Sequence, residues 1–102
     1  MGRTYLIYKI TNKITDDFYI GIVYCFKRQI KKSLKRRWRG HIYRATIECS
    51  NIKFSCHIRE YGQDNFRIEL MEKVIGKKLV HKREIQLIKE LKPTLNCKGC
   101  KC

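Results

Sequence analysis

Tyr5-Leu-Ile-Tyr-Lys-Ile-Thr11 and Phe18-Tyr-Ile-Gly-Ile-Val-Tyr24 flank a polar stretch running from Asn12 to Asp17. Both runs are rich in aromatic and β-branched side chains, which fit a pleated surface. The stretch between them carries the Asn, Thr and Asp residues that turn a chain. So short a link joins neighbouring strands running in opposite directions, so an antiparallel hairpin is expected. Gly21 interrupts the second strand, and a glycine there marks a close approach by backbone or ligand.

Downstream of the hairpin the apolar spacing becomes helical. Leu34, Trp38, Ile42 and Ala45 place a helix from about Lys31 to Cys49. On it Arg37 and His41 are four residues apart and share a face, with His41 inside the apolar stripe and Arg37 at its edge. A shorter helix over Phe54 to Tyr61 stops at Gly62. Phe66-Arg-Ile-Glu-Leu-Met71 alternates as a third strand, and Lys78 to Leu91 reads as a second long helix ended by Pro93. The expectation is a small α+β domain over residues 1–96, a three-stranded antiparallel sheet flanked by helices.

The last helix carries an anomaly. Val80, Leu87, Ile88 and Leu91 form its apolar face, and Glu84 sits in their midst. A carboxylate aimed at a core costs several kcal/mol unless it is paired or bound to metal. A buried bridge to Arg or His satisfies this, and so does a metal ligand at the base of a cleft; periodicity does not choose. Taken singly, His41 reads as a satisfied core histidine, and Tyr8 and Tyr19 as packing.

Charge narrows the function classes. Lys and Arg number 24 against nine acids, a formal net charge of +15, which selects polyanionic partners. Lys27, Arg28, Lys31, Lys32, Lys35, Arg36, Arg37, Arg39 and Arg44 occupy one stretch that contains no acid. Lys31, Lys32, Lys35, Arg36, Arg39 and Arg44 are the candidate nucleic-acid contacts, the DNA-binding residues if that partner is DNA. The segment lacks the fatty, aromatic opposite face of a membrane-surface helix, and no run is apolar enough to span a bilayer. Met1-Gly2-Arg3-Thr4-Tyr5 leads straight into a strand without a signal peptide, so an intracellular protein of cytoplasm or nucleus is expected. Cysteines would then stay reduced, with Cys25, Cys49 and Cys56 as small buried hydrophobes. Cys97, Cys100 and Cys102 make a Cys-rich tail over residues 97–102 that offers three thiolates to zinc; a closed zinc site takes four ligands, so the tail reads as the start of a further segment.

Leu6-Ile7-Tyr8 and Tyr19-Ile20-Gly21, followed by Arg37-Trp38 with His41, Tyr61-Gly62 with Asn65-Phe66, Glu84 to Leu91 and Asn96, together resemble the signature of the GIY-YIG endonucleases, including the catalytic domains of phage intron-homing endonucleases. The resemblance covers roughly residues 4 to 96. It implies the sheet-and-helix fold already expected and hydrolysis of a DNA phosphodiester with one divalent metal, magnesium or manganese. It implies Glu84 as metal ligand, Arg37 on the scissile phosphate, and Tyr8 and Tyr19 as the signature tyrosines, one of which helps activate water; Tyr8 is the favoured base. It implies His41 in the same network, with Gly21 and Asn96 as supporting residues. The chemistry suits these types: an arginine and a metal stabilise charge on phosphoryl oxygens, and magnesium needs few protein ligands.

Leu6 stands where the family signature has its first glycine, and Gly21 to Arg37 is a longer interval than in compact members. Val23 to Ser33 is accordingly expected as a basic insertion, a loop or helix extension over DNA. No sequence-specific DNA-binding domain is recognisable, so the chain reads as a catalytic domain alone, a fragment or a small free-standing nuclease, with an additional DNA-binding domain or a dimer partner as candidate partners. Abundant Ile and Lys suggest an AT-rich, virus- or phage-encoded source. The alternatives are a non-catalytic basic nucleic-acid binder of the same fold, a zinc-stabilised adaptor, and a ribonuclease.

Overall fold

The first strand of the hairpin forms the centre of the sheet in the computed structural model, which describes residues 2–50 and 52–96. β1 (Thr4–Asn12) pairs with β2 (Phe18–Tyr24) on one edge and β3 (Phe66–Ile75) on the other, both antiparallel, in the order β2-β1-β3. The Asn12 side chain builds the turn: its Oδ1 accepts the Ile14 N–H at 2.9 Å, while the Asn12 N–H reaches the Asp17 carbonyl at 2.8 Å. Asp16 takes the left-handed backbone (φ 65°) that Asp tolerates better than most residues.

Alternation along β1 sends side chains to two cores. Leu6, Tyr8 and Ile10 face Leu34 and Ala45 of α1 (Ile30–Thr46), Phe54 and Ile58 of α2 (Lys53–Tyr61), and Leu95. Ile7, with Ile20 of β2, faces Val80 and Leu87 of α3 (Lys77–Leu91). Helices therefore cover both sheet faces, and each large apolar side chain withdrawn from water contributes about 1.5–3 kcal/mol.

The expected α+β fold is present, with these differences in detail. β3 runs on to Ile75 instead of stopping at Met71. The register passes from Ile7↔Glu72 to Tyr8↔Leu70 and skips Met71, a bulge. A one-residue slip exchanges the two faces, so Phe66 and Ile68 pack with α1 and α2 whereas Met71 and Val74 pack with α3. The alternation that marks the strand breaks at the bulge. The helix expected to reach Cys49 ends at Thr46: the Tyr43 carbonyl accepts from Ile47 and Glu48, and Cys49 lies in the turn (φ 50°), exposed instead of buried. Cys25 is buried as expected; Cys56 is only half-buried and is disulfide-bonded, not a reduced core thiol. Leu91, 43% exposed, stands outside the core because α3 ends there, with Lys92 turning the chain (φ 49°) ahead of Pro93. The tail cysteines lie outside the described residues. Among the described residues no helix is long and apolar enough to cross a membrane.

Candidate active site

Tyr8 and Gly21 lie directly opposite each other on β1 and β2, and Tyr19 precedes Gly21 on the same face. The Tyr8 ring leans over the bare α-carbon of Gly21; a β-carbon there would stand 2.6 Å from Tyr8 Cζ, on top of its hydroxyl, and 2.9 Å from Tyr19 Cε2. The glycine thus makes room for two tyrosines side by side, with ring centroids 6.2 Å apart.

α1 brings the next two residues. His41 is buried, and its Nε2 is 2.7 Å from the Tyr8 hydroxyl. Arg37, one turn earlier, donates from Nε to the same oxygen at 3.3 Å. With the oxygen accepting from Arg37, the phenol proton is left to donate to the histidine nitrogen. Burial, then the charges of Arg37 and Arg44, lower the His41 pKa to about 3, so the ring is neutral at physiological pH and can accept. Burial is the main cause holding the Tyr8 phenol well above its ordinary range, and it raises Tyr19 too.

Tyr19 differs from Tyr8 in access. Tyr8 is wholly buried, while Tyr19 is half-buried and lines a cleft of about 150 Å³ with His41, Arg44, Ser55 and Asn96. Phe54 of α2 stacks on Tyr19 at 4.5 Å and meets His41 edge-on at 4.9 Å, which fixes both rings. Asn96, supplied by the 3₁₀ turn Thr94–Asn96, acts as a short extra strand on β2: its Oδ1 accepts the Ile20 N–H at 2.9 Å and its Nδ2 donates to the Ile20 carbonyl at 2.8 Å. That bidentate pair clamps the peptide between Tyr19 and Gly21.

Glu84 comes from α3, on the other sheet face. It is half-buried, and among the described residues it makes no hydrogen bond or ion pair. Burial raises its pKa, and its charge lies near enough to raise that of Tyr19. A partly desolvated carboxylate with no hydrogen bond or ion pair among the described residues, opposed in its pKa rise only by His81, suits a hard divalent cation that brings its own waters and takes one protein oxygen. No group of three or more His, Cys, Asp or Glu gathers among the described residues, so a closed zinc site is not formed there.

The sequence-predicted residues Tyr8, Tyr19, Gly21, Arg37, His41 and Asn96 are thus brought together, with Glu84 within electrostatic reach. Arg44 belongs here as well. Sequence reading grouped it with the outer basic residues, yet it lines the Tyr19 cleft, and its charge acts on both Tyr19 and His41. Its spacing of seven and three residues from Arg37 and His41 is the signal for that face. Phe54 gave no chemical signal in the sequence; only the packing reveals it.

The depressed His41 pKa has a consequence for stability. The folded state refuses a proton that the unfolded chain accepts near pH 6.5, so the contribution is complete above that pH and is lost as pH falls towards 3. Thermal melts between pH 7 and 4 should show a steep decline that His41→Gln flattens. Equal slopes in the two proteins would rule out His41 as the cause.

No family model and no curated protein matches the chain. Two solved structures match. The catalytic domain of intron endonuclease I-TevI, in a glutamate-to-alanine mutant, superposes with TM-score 0.71 at 24% identity, covering 94% of this chain and 92% of that one. The catalytic domain of homing endonuclease I-TevI gives TM-score 0.70 at 26% identity, covering 92% of this chain and 95% of that one. The resemblance to GIY-YIG homing-endonuclease catalytic domains read from the sequence therefore extends to the three-dimensional fold.

Proposed function

We propose that this protein is a metal-dependent DNA endonuclease that hydrolyses phosphodiester bonds, as a homing, restriction-like or mobile-element nuclease does. The observation that carries the reading is the cluster in which the Tyr8 hydroxyl joins Arg37 and His41 beside the cleft lined by Tyr19, His41 and Arg44, with Glu84 within electrostatic reach, in a fold shared with a homing-endonuclease catalytic domain.

In this reading Glu84 holds a magnesium or manganese ion, which supplies Lewis-acid stabilisation of the phosphoryl oxygens when bound. Arg37 is already oriented by Tyr8, so its remaining N–H groups are available to a phosphate oxygen without reorganisation. Arg44 adds a second positive charge at the cleft. Tyr8 is wholly buried and committed to Arg37 and His41, which supports a positioning role for it. The accessible tyrosine is Tyr19, and its place in the cleft supports assigning the water-facing role to it. Neutralising Glu84 removes one cause of the raised Tyr19 pKa and leaves Arg37 and Arg44 lowering it, the direction a phenolic base needs. The +15 charge provides phosphate affinity that falls with salt.

The test is incubation of the purified protein with supercoiled plasmid. Nicked or linear product with magnesium or manganese, absent in EDTA, is expected. A protein that binds plasmid but leaves it intact with either metal is instead a non-catalytic binder.

A further inference from the structure

Phe26 is an exposed aromatic side chain. It follows buried Cys25 in the segment linking β2 to α1, and 44% of its surface faces water. The two residues after it, Lys27 and Arg28, both adopt left-handed backbone (φ 48° and 59°), a conformation unfavourable for side chains of this kind. The Phe26 N–H donates to Ser33 Oγ at 3.4 Å, Ser33 Oγ donates to the Gln29 carbonyl at 2.7 Å, and the Gln29 N–H returns to the Phe26 carbonyl at 3.0 Å. These bonds tie down the backbone of the turn, and the phenyl ring takes its place edge-on to Tyr24 at 6.3 Å, with the Lys27 ammonium 5.2 Å from its centroid.

That place is the wall of a cleft of about 420 Å³, whose other side is Lys32, Lys35, Arg36 and Arg39 of α1. At three- and four-residue spacing these four share one helix face, turned roughly 120° to 180° from His41 at about 100° per residue. They are not part of the Tyr19 cleft. None of them forms an ion pair among the described residues, and residues 26–39 contain no acid. Cations alone would suit any phosphate backbone. The aromatic ring adds a narrower requirement: in duplex DNA the base faces are covered by their neighbours, so a phenyl platform inside a basic cleft serves only an unstacked base.

We propose that the Phe26 cleft is a second nucleic-acid subsite that takes single-stranded polynucleotide, with a base stacked on Phe26 and its phosphates on Lys32, Arg36 and Arg39. The proposal deepens the nucleic-acid reading above and rests on it. A nuclease so equipped would bind a strand that is frayed or displaced beside the cut, on the far side of α1 from the catalytic residues.

Binding is measured in EDTA, by fluorescence anisotropy, with a labelled oligothymidylate and with a duplex of equal length. Phe26→Ala should weaken oligothymidylate binding roughly tenfold, the loss of one base–aromatic stack, and change duplex binding less than twofold. Phe26→Trp should keep the wild-type affinity. Oligothymidylate affinity within twofold of wild type in Phe26→Ala, or an equal loss for both ligands, overturns the subsite. Because no metal is present, a chain that never cuts plasmid can still show this selectivity, and a chain that cuts can still lack it.

Discussion

Glu84→Gln should abolish plasmid cleavage while leaving the apo protein at least as stable as the wild type. The two halves of this expectation have one cause. Glu84 is half-buried, without a hydrogen bond or ion pair among the described residues, and burial raises its pKa. For a carboxyl with a raised folded pKa, protonation favours the fold, and the carboxylate present at neutral pH detracts from it. Gln keeps the shape and removes the charge, so the melting temperature should hold or rise. A structural ion pair predicts the reverse, because removing one partner strands the other. The same substitution removes the oxygen charge that a magnesium ion requires. Magnesium should therefore raise the melting temperature of the wild type and not of Glu84→Gln, a readout independent of catalysis. Cleavage should fall at least about a hundredfold, the scale of losing one major electrostatic stabiliser. Undiminished cleavage in Glu84→Gln would displace the metal from this residue; a fall in apo stability would make Glu84 a structural group.

How much of this was legible beforehand varies by element. The hairpin and the three helices were legible because their side-chain periods differ and their ends carry Asn12, Gly62 and Pro93. β3 was legible only as far as Met71, since a bulge exchanges the faces there and a period-two pattern cannot run through it. Glu84 stood out in the sequence as a charge on an apolar face, and the structure keeps it half-buried and unpaired among the described residues. The difference between Tyr8 and Tyr19 was not legible. Both sit on one sheet face, but Tyr8 lies in the central strand and Tyr19 near the start of an edge strand, and this placement together with the packing of α1 and α2 seals Tyr8 while Tyr19 lines a cleft. Helical spacing placed Arg44 on the face of Arg37 and His41 and Arg39 off it, but that this face borders a cleft depends on where α1 meets α2 and the sheet. The Phe26 cleft needed tertiary structure altogether, because it pairs a turn with a helix face.

Gly21→Ala, the smallest possible side-chain addition, should cost more than any surface substitution in this protein. The glycine is not there for backbone freedom, since it lies in regular β2 and has an ordinary strand φ. Its cause is space. A methyl group would meet Tyr8 Cζ at 2.6 Å and Tyr19 Cε2 at 2.9 Å, where atoms need well over three. Tyr8 cannot yield, because it is wholly buried between Leu6 and Ile10 of its own strand and held by His41 at 2.7 Å. β2 cannot yield either, because Asn96 clamps the neighbouring Ile20 peptide on its outer edge. Overpacking of this kind costs about 1–3 kcal/mol or more, and in a domain of this size each kcal/mol lowers the melting temperature by about 4–8 °C. A drop of roughly 10–20 °C is expected, together with loss of cleavage, because a displaced Tyr8 releases both Arg37 and His41. A second substitution separates the two effects. In Gly21→Ala/Tyr8→Leu the methyl occupies the space the phenol leaves, so much of the stability should return while cleavage stays low. If Gly21→Ala melts within a few degrees of wild type and still cuts, the close approach is not what the glycine provides. If the double variant recovers cleavage along with stability, the Tyr8 hydroxyl does not position Arg37 and His41, and the site works through Tyr19 and Glu84 without it.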